Sequence, residues 1–191
     1  MGAQELNYIT PEEYLATERM ALEKHEYFLG EIFAMSGASF AHNDIFSNAF
    51  SELSSQLKGK NCKPYGSDLR IHIPKNSLYT YPDMSVICGK IQAVDNKFDT
   101  AINPSVLFEI LSPSTQNYDQ IAKFELYRDI DSLQEYIMIR SDKVQVLKYV
   151  RNTDNSWLLT VYKSIDDIFS IDSLGVQLYL ETIYDDVNFK L

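Results

Sequence analysis

Two carboxylates stand inside otherwise apolar, strand-like segments of the chain. Asp83 lies in the segment YPDMSVIC, and Glu109 lies in the segment VLFEILSPST. Burying an unpaired carboxylate is costly unless it is paired, protonated or bound to a metal. Side chains alternate across a strand, so the two carboxylates can point to one side at one end of a sheet if their strands are neighbours. Mg²⁺ accepts such oxygen ligands while keeping several waters, and the pair therefore indicates a magnesium-type site.

A third group that could take part in catalysis lies on a predicted helix after Glu109. Asp119, Lys123 and Tyr127 are spaced four residues apart, which places them on one helix face. A lysine on this face could reach back over the strand end that carries Glu109. It would then hold a positive charge where an attacking water or a scissile phosphate would lie.

The same residues also fit a purely structural interpretation. Asp83 could cap a turn, and Glu109 could form a structural pair with Lys123. Asp119 and Lys123 could form an ordinary ion pair along the helix, of the kind that contributes little stability. The spacing by itself leaves this alternative open.

The apolar patterning predicts a mixed α/β or α+β domain with a central sheet, spanning residues 1–191 as one domain. Thr10, Pro11 and Glu13 are typical of a capped helix start. Two short strands are expected around Leu29 and Gly30, followed by an amphipathic helix in ASFAHNDIFSNAFSELSSQLKGK. Further strands are predicted in DLRIHIP, YPDMSVIC, SVLFEILS, QEYIMIR and KVQVLKYV, with a second amphipathic helix in TQNYDQIAKFELYRDI. The segments SWLLTVYK and LETIYDDV should finish the sheet or pack over it.

Composition restricts the location and the partners of the protein. The formal net charge of −10 argues against strong non-specific binding of nucleic acid, although a local basic patch is compatible with it. No segment approaches the length of a membrane span, and the first residues do not resemble a secretory signal. Cys88 is interpreted as a small buried apolar side chain, which predicts a reducing, cytoplasmic location.

Longer strings of the sequence resemble the Uma-type restriction endonuclease family, a branch of the PD-(D/E)XK nuclease superfamily. The strings are GEIFAMSGAS, YPDMSVIC, NPSVLFEILSPST and YDQIAKFELYRDIDSLQEYIMI, and the resemblance runs from about Tyr14 to the C-terminus. It implies a restriction-endonuclease-like core, in which helices flank a central mixed sheet, with an N-terminal hairpin. Pro82 and Asp83 match the PD element, and Glu109 matches the acidic residue of (D/E)XK.

One position departs from the superfamily pattern. The lysine expected two residues after Glu109 is replaced by Leu111. The resemblance implies that Lys123, on the following helix, supplies that lysine. It also singles out Glu31 as a further metal ligand or as a group that orients a metal-bound water, and His42 as a phosphate contact. Both residues have structural alternatives, as a solvent-facing hairpin residue and as a residue of a helix start.

The resemblance implies a metal-dependent endonuclease that hydrolyses DNA phosphodiester bonds. Asp83, Glu109 and the backbone carbonyl of Ile110 would hold Mg²⁺, with Mn²⁺ as a substitute, and a homodimer would suit the cutting of two strands. A catalytically degenerate binding or assembly module is the main alternative, favoured by the acidic charge and by Leu111. A two-carboxylate hydrolase acting on sugars is a third, but it would not need Lys123. The presence of both carboxylates favours the nuclease.

Overall fold

The computed structural model describes residues 8–112 and 122–189, which form two larger β-sheets, a small two-stranded sheet and four α-helices. The helices are α1 Pro11–Glu18, α2 Phe40–Leu57, α3 Phe124–Tyr127 and α4 Leu180–Ile183. The strands are β1 His25–Phe28, β2 Glu31–Ala34, β3 Cys62–Gly66, β4 Arg70–Ile73, β5 Leu78–Thr80, β6 Met84–Cys88, β7 Thr100–Ala101, β8 Val106–Leu111, β9 Glu135–Arg140, β10 Val146–Arg151, β11 Trp157–Tyr162, β12 Ile168–Ile171 and β13 Val176–Tyr179.

The central six-stranded sheet has the order β11-β10-β9-β8-β6-β3. It is a mixed sheet, because β8 and β9 are parallel whereas the other neighbours are antiparallel. β8 and β9 are buried along their whole length, as expected for central strands covered on both faces. The predicted mixed sheet with flanking helices is therefore confirmed.

Each face of this sheet carries a separate hydrophobic core. The apolar stripe of α2, including Ile45, Ala49 and Leu53, packs with β12, β13 and α4 on one face. On the other face, residues of β4 and β5 pack with α3. Successive residues of β8 point alternately into the two cores, so the strand holds the layers together.

The N-terminal elements form as the sequence predicts. Thr10 caps α1, since its hydroxyl accepts from the Glu13 backbone N–H at 3.2 Å while the Glu13 carboxylate accepts from the Thr10 backbone N–H at 2.8 Å. Leu29 and Gly30 form the turn of the β1–β2 hairpin, and both have positive φ, which a tight two-residue hairpin turn requires. This hairpin belongs to a five-stranded sheet with the order β2-β1-β5-β4-β7.

The segment LETIYDDV begins as α4 and packs over the central sheet, which is one of the two arrangements expected for it. The loop after Cys88 differs from the sequence-based expectation. The stretch expected to be one loop after Cys88 contains the short strand β7, which pairs in parallel with β4. The second predicted helix is seen only in part, because residues 113–121, including Asp119, lie outside the described residues.

Cys62 and Cys88 form a disulfide across the β3–β6 pair, where they lie directly opposite each other. The expectation that Cys88 is a buried, unpaired thiol is therefore wrong. The tertiary pairing of two strands brings together cysteines that are 26 residues apart in sequence. The bond also removes the argument for a reducing location that was based on Cys88.

Reducing this disulfide is expected to lower the free energy of unfolding by about 3.5 kcal/mol. The reason is that the bond joins residues 26 positions apart and so closes a loop in the unfolded chain. Urea unfolding of the oxidised protein with and without dithiothreitol measures the difference. In the control variant Cys62→Ser/Cys88→Ser, the reductant should have no effect. Equal stability of the reduced and oxidised wild-type protein, with the thiols shown to be free after reduction, would contradict the prediction.

Several buried tyrosines make the fold sensitive to high pH. Burial raises the pKa of Tyr81 to about 12, and burial likewise raises the pKa values of Tyr14 and Tyr184. The folded state thus holds neutral phenols that ionise near pH 10 in the unfolded chain. The stabilising contribution of Tyr81 is complete below about pH 10 and is lost as the pH rises through about 12. The contributions of Tyr14 and Tyr184 are lost towards still higher pH.

We therefore expect the free energy of unfolding to fall between pH 9 and pH 11, as measured by urea titration at each of these approximate values. A Tyr184→Phe variant should show a shallower dependence than the wild type, because it removes one buried phenol. A Tyr179→Phe variant, which changes a tyrosine that is 41% exposed, should keep the wild-type slope. An identical slope in all three proteins would rule out this explanation for Tyr184.

Candidate active site

The pairing of β6 with β8 brings the two predicted carboxylates together. In this antiparallel pair Met84 lies opposite Phe108, so continuing the register by one residue places Asp83 opposite Glu109. Glu109 points to the same face as its neighbours Leu107 and Leu111, which belong to the second core. The structure thus places both carboxylates at one end of the central sheet, with Glu109 inside β8 and Asp83 directly before the first residue of β6, so the prediction that Asp83 lies within a strand is corrected by one residue.

Asp83 is held on both of its oxygens. The backbone N–H of Ile110 donates to Oδ2 at 2.6 Å, and His42 Nε2 lies 3.1 Å from Oδ1. His42 comes from the first turn of α2, whose N-cap Ser39 accepts from the His42 backbone N–H. The structure therefore places His42 at the site, where its imidazole contacts Asp83.

Glu109 lies deeper, beside a buried lysine. Lys123 Nζ lies 3.3 Å from Glu109 Oε1 and 3.1 Å from Glu26 Oε1, and all three side chains are largely buried. Lys123 thus bridges two carboxylates, one from β8 and one from β1. A buried charge requires such pairing, which explains how one cation and two acidic groups share this interior position.

Two hydroxyl groups also contact these carboxylates. Tyr127 donates to Glu109 Oε1 at 2.6 Å, and Thr80 donates to Glu26 Oε1. Burial, reinforced by the negative charges of Glu109 and Glu26, raises the pKa of Tyr127 well above its usual value. Tyr127 therefore remains a neutral donor and contacts the glutamate directly.

Glu26 is the site residue that the sequence analysis missed. It lies in HEYFLGEIFAM, where the resemblance drew attention to Glu31 instead. Glu31 is exposed at the first position of β2, opposite Phe28 and next to the hairpin turn. Glu26 lies two residue pairs further from the turn, opposite Phe33, and is buried. In the structure Glu26, and not Glu31, lies beside Lys123. The signal in the sequence was an acidic residue, Glu26, next to the aromatic residues Tyr27 and Phe28 of a predicted strand.

These side chains line a pocket of about 190 Å³. The lining residues come from six separate stretches of the chain: Glu26, Ala34, Met35, Ser36, His42, Tyr81, Asp83, Glu109, Ile110 and Lys123. The pocket adjoins a groove of about 490 Å³, and the two share Met35, Ser36, His42 and Asp83. Asp83 thus lies where the pocket meets the groove.

The donor set can be compared with what a divalent cation needs. Among residues 8–112 and 122–189, no group of three or more His, Cys, Asp or Glu side chains is arranged to hold a metal. Mg²⁺ does not need such a cage, because it is commonly bound by one or two carboxylates, with waters and substrate oxygens completing its shell. Asp83 and Glu109, which both line one pocket at the end of the central sheet, fit this mode of binding.

The mixed sheet with its flanking elements defines a restriction-endonuclease-like fold. The Uma2 family, described as "Putative restriction endonuclease", matches residues 11–181, and the chain belongs to this family. The chain is similar to the uncharacterized protein slr1290 of Synechocystis sp., with 37% identity over 95% of this chain and 94% of the relative. It is also 37% identical to the uncharacterized protein sll1609 of the same organism, over 80% of this chain and 86% of the relative.

A solved structure supports the fold. It is the crystal structure of a protein described as a putative nuclease belonging to DUF820 from Anabaena variabilis. The TM-score is 0.74, the sequence identity is 21%, and the match covers 92% of this chain and 97% of the other. At this identity the likeness establishes the fold. The family, described as a putative restriction endonuclease, suggests a nuclease.

Proposed function

We propose that this protein is a metal-dependent endonuclease that hydrolyses phosphodiester bonds of DNA. One observation carries the proposal: Asp83, directly before β6, and Glu109, in the neighbouring strand β8, line one pocket, with Lys123 against Glu109. This is the arrangement that two carboxylates and a lysine need in order to act on one phosphate. Family membership supports the same activity.

Asp83 and Glu109 would hold Mg²⁺ or Mn²⁺, and the backbone carbonyl of Ile110 is proposed as a third ligand. A bound divalent cation lowers the pKa of a coordinated water and polarises a phosphoryl oxygen. The bond from the Ile110 N–H fixes one oxygen of Asp83, so the carboxylate is oriented before any ligand arrives. Glu31 stays a prediction as a ligand, and its exposed position in the hairpin does not support that role.

Lys123 would supply the positive charge at the reacting phosphate. Its contacts with Glu26 and Glu109 hold the ammonium group at the pocket wall, in a buried environment where electrostatic effects are stronger than in water. It thereby takes the place of the lysine that the superfamily pattern expects at Leu111. Glu26 acts as a positioning residue, because it contacts Lys123 and not the substrate.

The reaction is an in-line hydrolysis. A water oxygen forms a bond to phosphorus, the bond from phosphorus to the 3′ oxygen breaks, and a proton passes to the leaving oxygen. The products are a 5′-phosphate and a 3′-hydroxyl, as the resemblance implies. His42 lies at the junction of pocket and groove, where it can contact a phosphate as well as Asp83.

Location and assembly belong to the same proposal. Among the described residues, no helix is both long and apolar enough to cross a membrane. We propose a cytoplasmic location, since the proposed substrate is DNA. We also propose a homodimer, because two sites related by a two-fold axis can act on the two strands of a duplex.

The test is cleavage of supercoiled plasmid by purified protein at low salt, with Mg²⁺ or Mn²⁺. We expect nicking by the wild type that stops with a chelator and is absent in an Asp83→Ala variant prepared in parallel. No cleavage of supercoiled, linear or single-stranded DNA would favour the catalytically degenerate binding module. Equal cleavage by wild type and variant would exclude Asp83 from the active site.

A further inference from the structure

The proposed metal ligand Asp83 lies in a short link between two sheets. β5 belongs to the five-stranded sheet and β6 to the central sheet, and only Tyr81, Pro82 and Asp83 separate the two strands. Glu109, by contrast, lies inside β8, where pairing with β9 fixes its backbone. The position of Asp83 relative to Glu109 therefore depends on what holds this β5–β6 link.

The hydroxyl of Tyr81 is held by two separate elements. It donates to Glu18 Oε1, at the end of α1, over 2.8 Å, and it accepts from Arg70 Nη1, at the start of β4, over 2.9 Å. Tyr81 is only 6% exposed. Burial raises the pKa of Tyr81 to about 12, so the phenol stays protonated at neutral pH and keeps its bond to Glu18.

The two partners of Tyr81 are themselves fixed by further contacts. Arg70 is 3% exposed, and its Nη2 lies 3.2 Å from Asp99 Oδ1. The carboxylate of Glu18 also accepts from the backbone N–H of His25 at 2.9 Å. Buried polar groups that are paired in this way hold one another in a single arrangement. The Tyr81 hydroxyl is thus fixed relative to α1, β1 and β4.

Little conformational freedom separates this hydroxyl from the carboxylate of Asp83. The intervening residue, Pro82, is buried, and the proline ring holds φ at about −65°. The carboxylate of Asp83 is held from the other side, by the Ile110 N–H at 2.6 Å. Tyr81 and Asp83 both line the pocket of the candidate site. Asp83 is therefore held through the backbone by Tyr81 and through its side chain by the central sheet.

We infer that Tyr81 is a positioning residue for the metal site: its hydroxyl, held between Glu18 and Arg70, fixes the β5–β6 link that carries Asp83. The inference rests on the proposed function, because it takes Asp83 as a ligand of the divalent cation. Partners that orient a metal ligand commonly change metal affinity by roughly 10–100-fold when they are removed. Tyr81 should act on metal affinity in this way without contacting the metal.

A Tyr81→Phe variant tests the inference, because it removes only the hydroxyl. We expect its dissociation constant for Mn²⁺, measured by calorimetry, to rise about 10-fold or more. NMR gives a readout without metal: the Ile110 amide proton should move upfield, because its bond to Asp83 weakens. The matched control is Tyr27→Phe, which removes a buried hydroxyl that donates to the Ile9 carbonyl at 2.9 Å, away from the pocket and the groove. This control should keep the Mn²⁺ affinity and the Ile110 signal.

Two variants of Glu18 separate positioning from a general loss of stability. Glu18→Gln keeps an oxygen that can accept from Tyr81, so it should bind Mn²⁺ as the wild type does. Glu18→Leu removes that oxygen and should weaken Mn²⁺ binding to the level of Tyr81→Phe. Circular dichroism verifies that each variant is folded. If Tyr81→Phe does not fold, the comparison of the two Glu18 variants decides the question.

Wild-type Mn²⁺ affinity in a folded Tyr81→Phe variant would overturn the inference and leave the proposed function intact. An equal loss of affinity in Tyr27→Phe would also overturn it, because the effect would then follow from general destabilisation. An Asp83→Asn variant, titrated in parallel, tests the proposed function separately. If Asp83→Asn binds Mn²⁺ as tightly as the wild type, the metal site itself is wrong, and the inference is wrong with it.

Discussion

An Asp83→Asn variant is expected to cleave DNA at least about 100-fold more slowly than the wild type, the scale on which one preorganised electrostatic group contributes to catalysis. Asparagine keeps the size of the side chain and one oxygen that can accept from the Ile110 N–H. It removes the negative charge that the proposed cation needs. The measurement is the initial rate of plasmid nicking at several Mg²⁺ concentrations.

The matched control is Asp68→Asn, which removes the same charge from a side chain that is 98% exposed and paired with Lys24. This variant should keep close to the wild-type rate. Direct titration with Mn²⁺, followed by calorimetry, gives a readout that does not depend on turnover: Asp83→Asn should weaken Mn²⁺ binding, and Asp68→Asn should not. If Asp83→Asn keeps full activity and full Mn²⁺ affinity, Asp83 has only the structural role of accepting the Ile110 N–H.

A Lys123→Met variant is expected to lose about 3 kcal/mol of unfolding free energy or more, because breaking a buried ion pair leaves a buried charge without compensation. Here the change leaves two buried carboxylates, Glu26 and Glu109, next to the space that the cation occupied. Methionine is similar in length and apolar, so the loss of packing is small. Urea unfolding at neutral pH measures the effect.

The double variant Lys123→Met/Glu26→Gln should recover a substantial part of the lost stability, since it removes one of the two uncompensated charges. It should nevertheless remain inactive on DNA, because the positive charge at the phosphate is still missing. The surface control Lys75→Met breaks an exposed ion pair with Asp131 and should cost no more than about 1 kcal/mol. A Lys123→Met variant as stable as the Lys75→Met control would show that the buried network does not require the lysine.

The local elements near the site could be predicted from the sequence. The capping box of α1, the turn at Leu29 and Gly30, and the amphipathic pattern of α2 are determined by neighbouring residues, so they are readable without a tertiary structure. The alternation rule also indicated that Asp83 and Glu109 could share one side of the sheet. The antiparallel pairing of β6 with β8 places Asp83 opposite Glu109, as that rule allowed.

Contacts between distant parts of the chain could not be predicted in this way. Glu26 reaches Lys123 because the β1–β2 hairpin belongs to a second sheet that packs against the first, and no local pattern specifies that packing. The Cys62–Cys88 bond likewise depends on β3 pairing with β6 in one particular register.

The sequence by itself thus determined the chemical types at the site, namely two carboxylates in apolar strands and a lysine on the following helix, along with the class of fold. Only the tertiary structure decided which groups share the buried charge. In the structure Glu26, and not Glu31, lies beside Lys123. Tyr127 donates to Glu109, and His42 contacts Asp83. The physical reason is that periodicity fixes which way a side chain points within its own element, whereas the partner of a buried charge depends on strand order, register and the packing of layers.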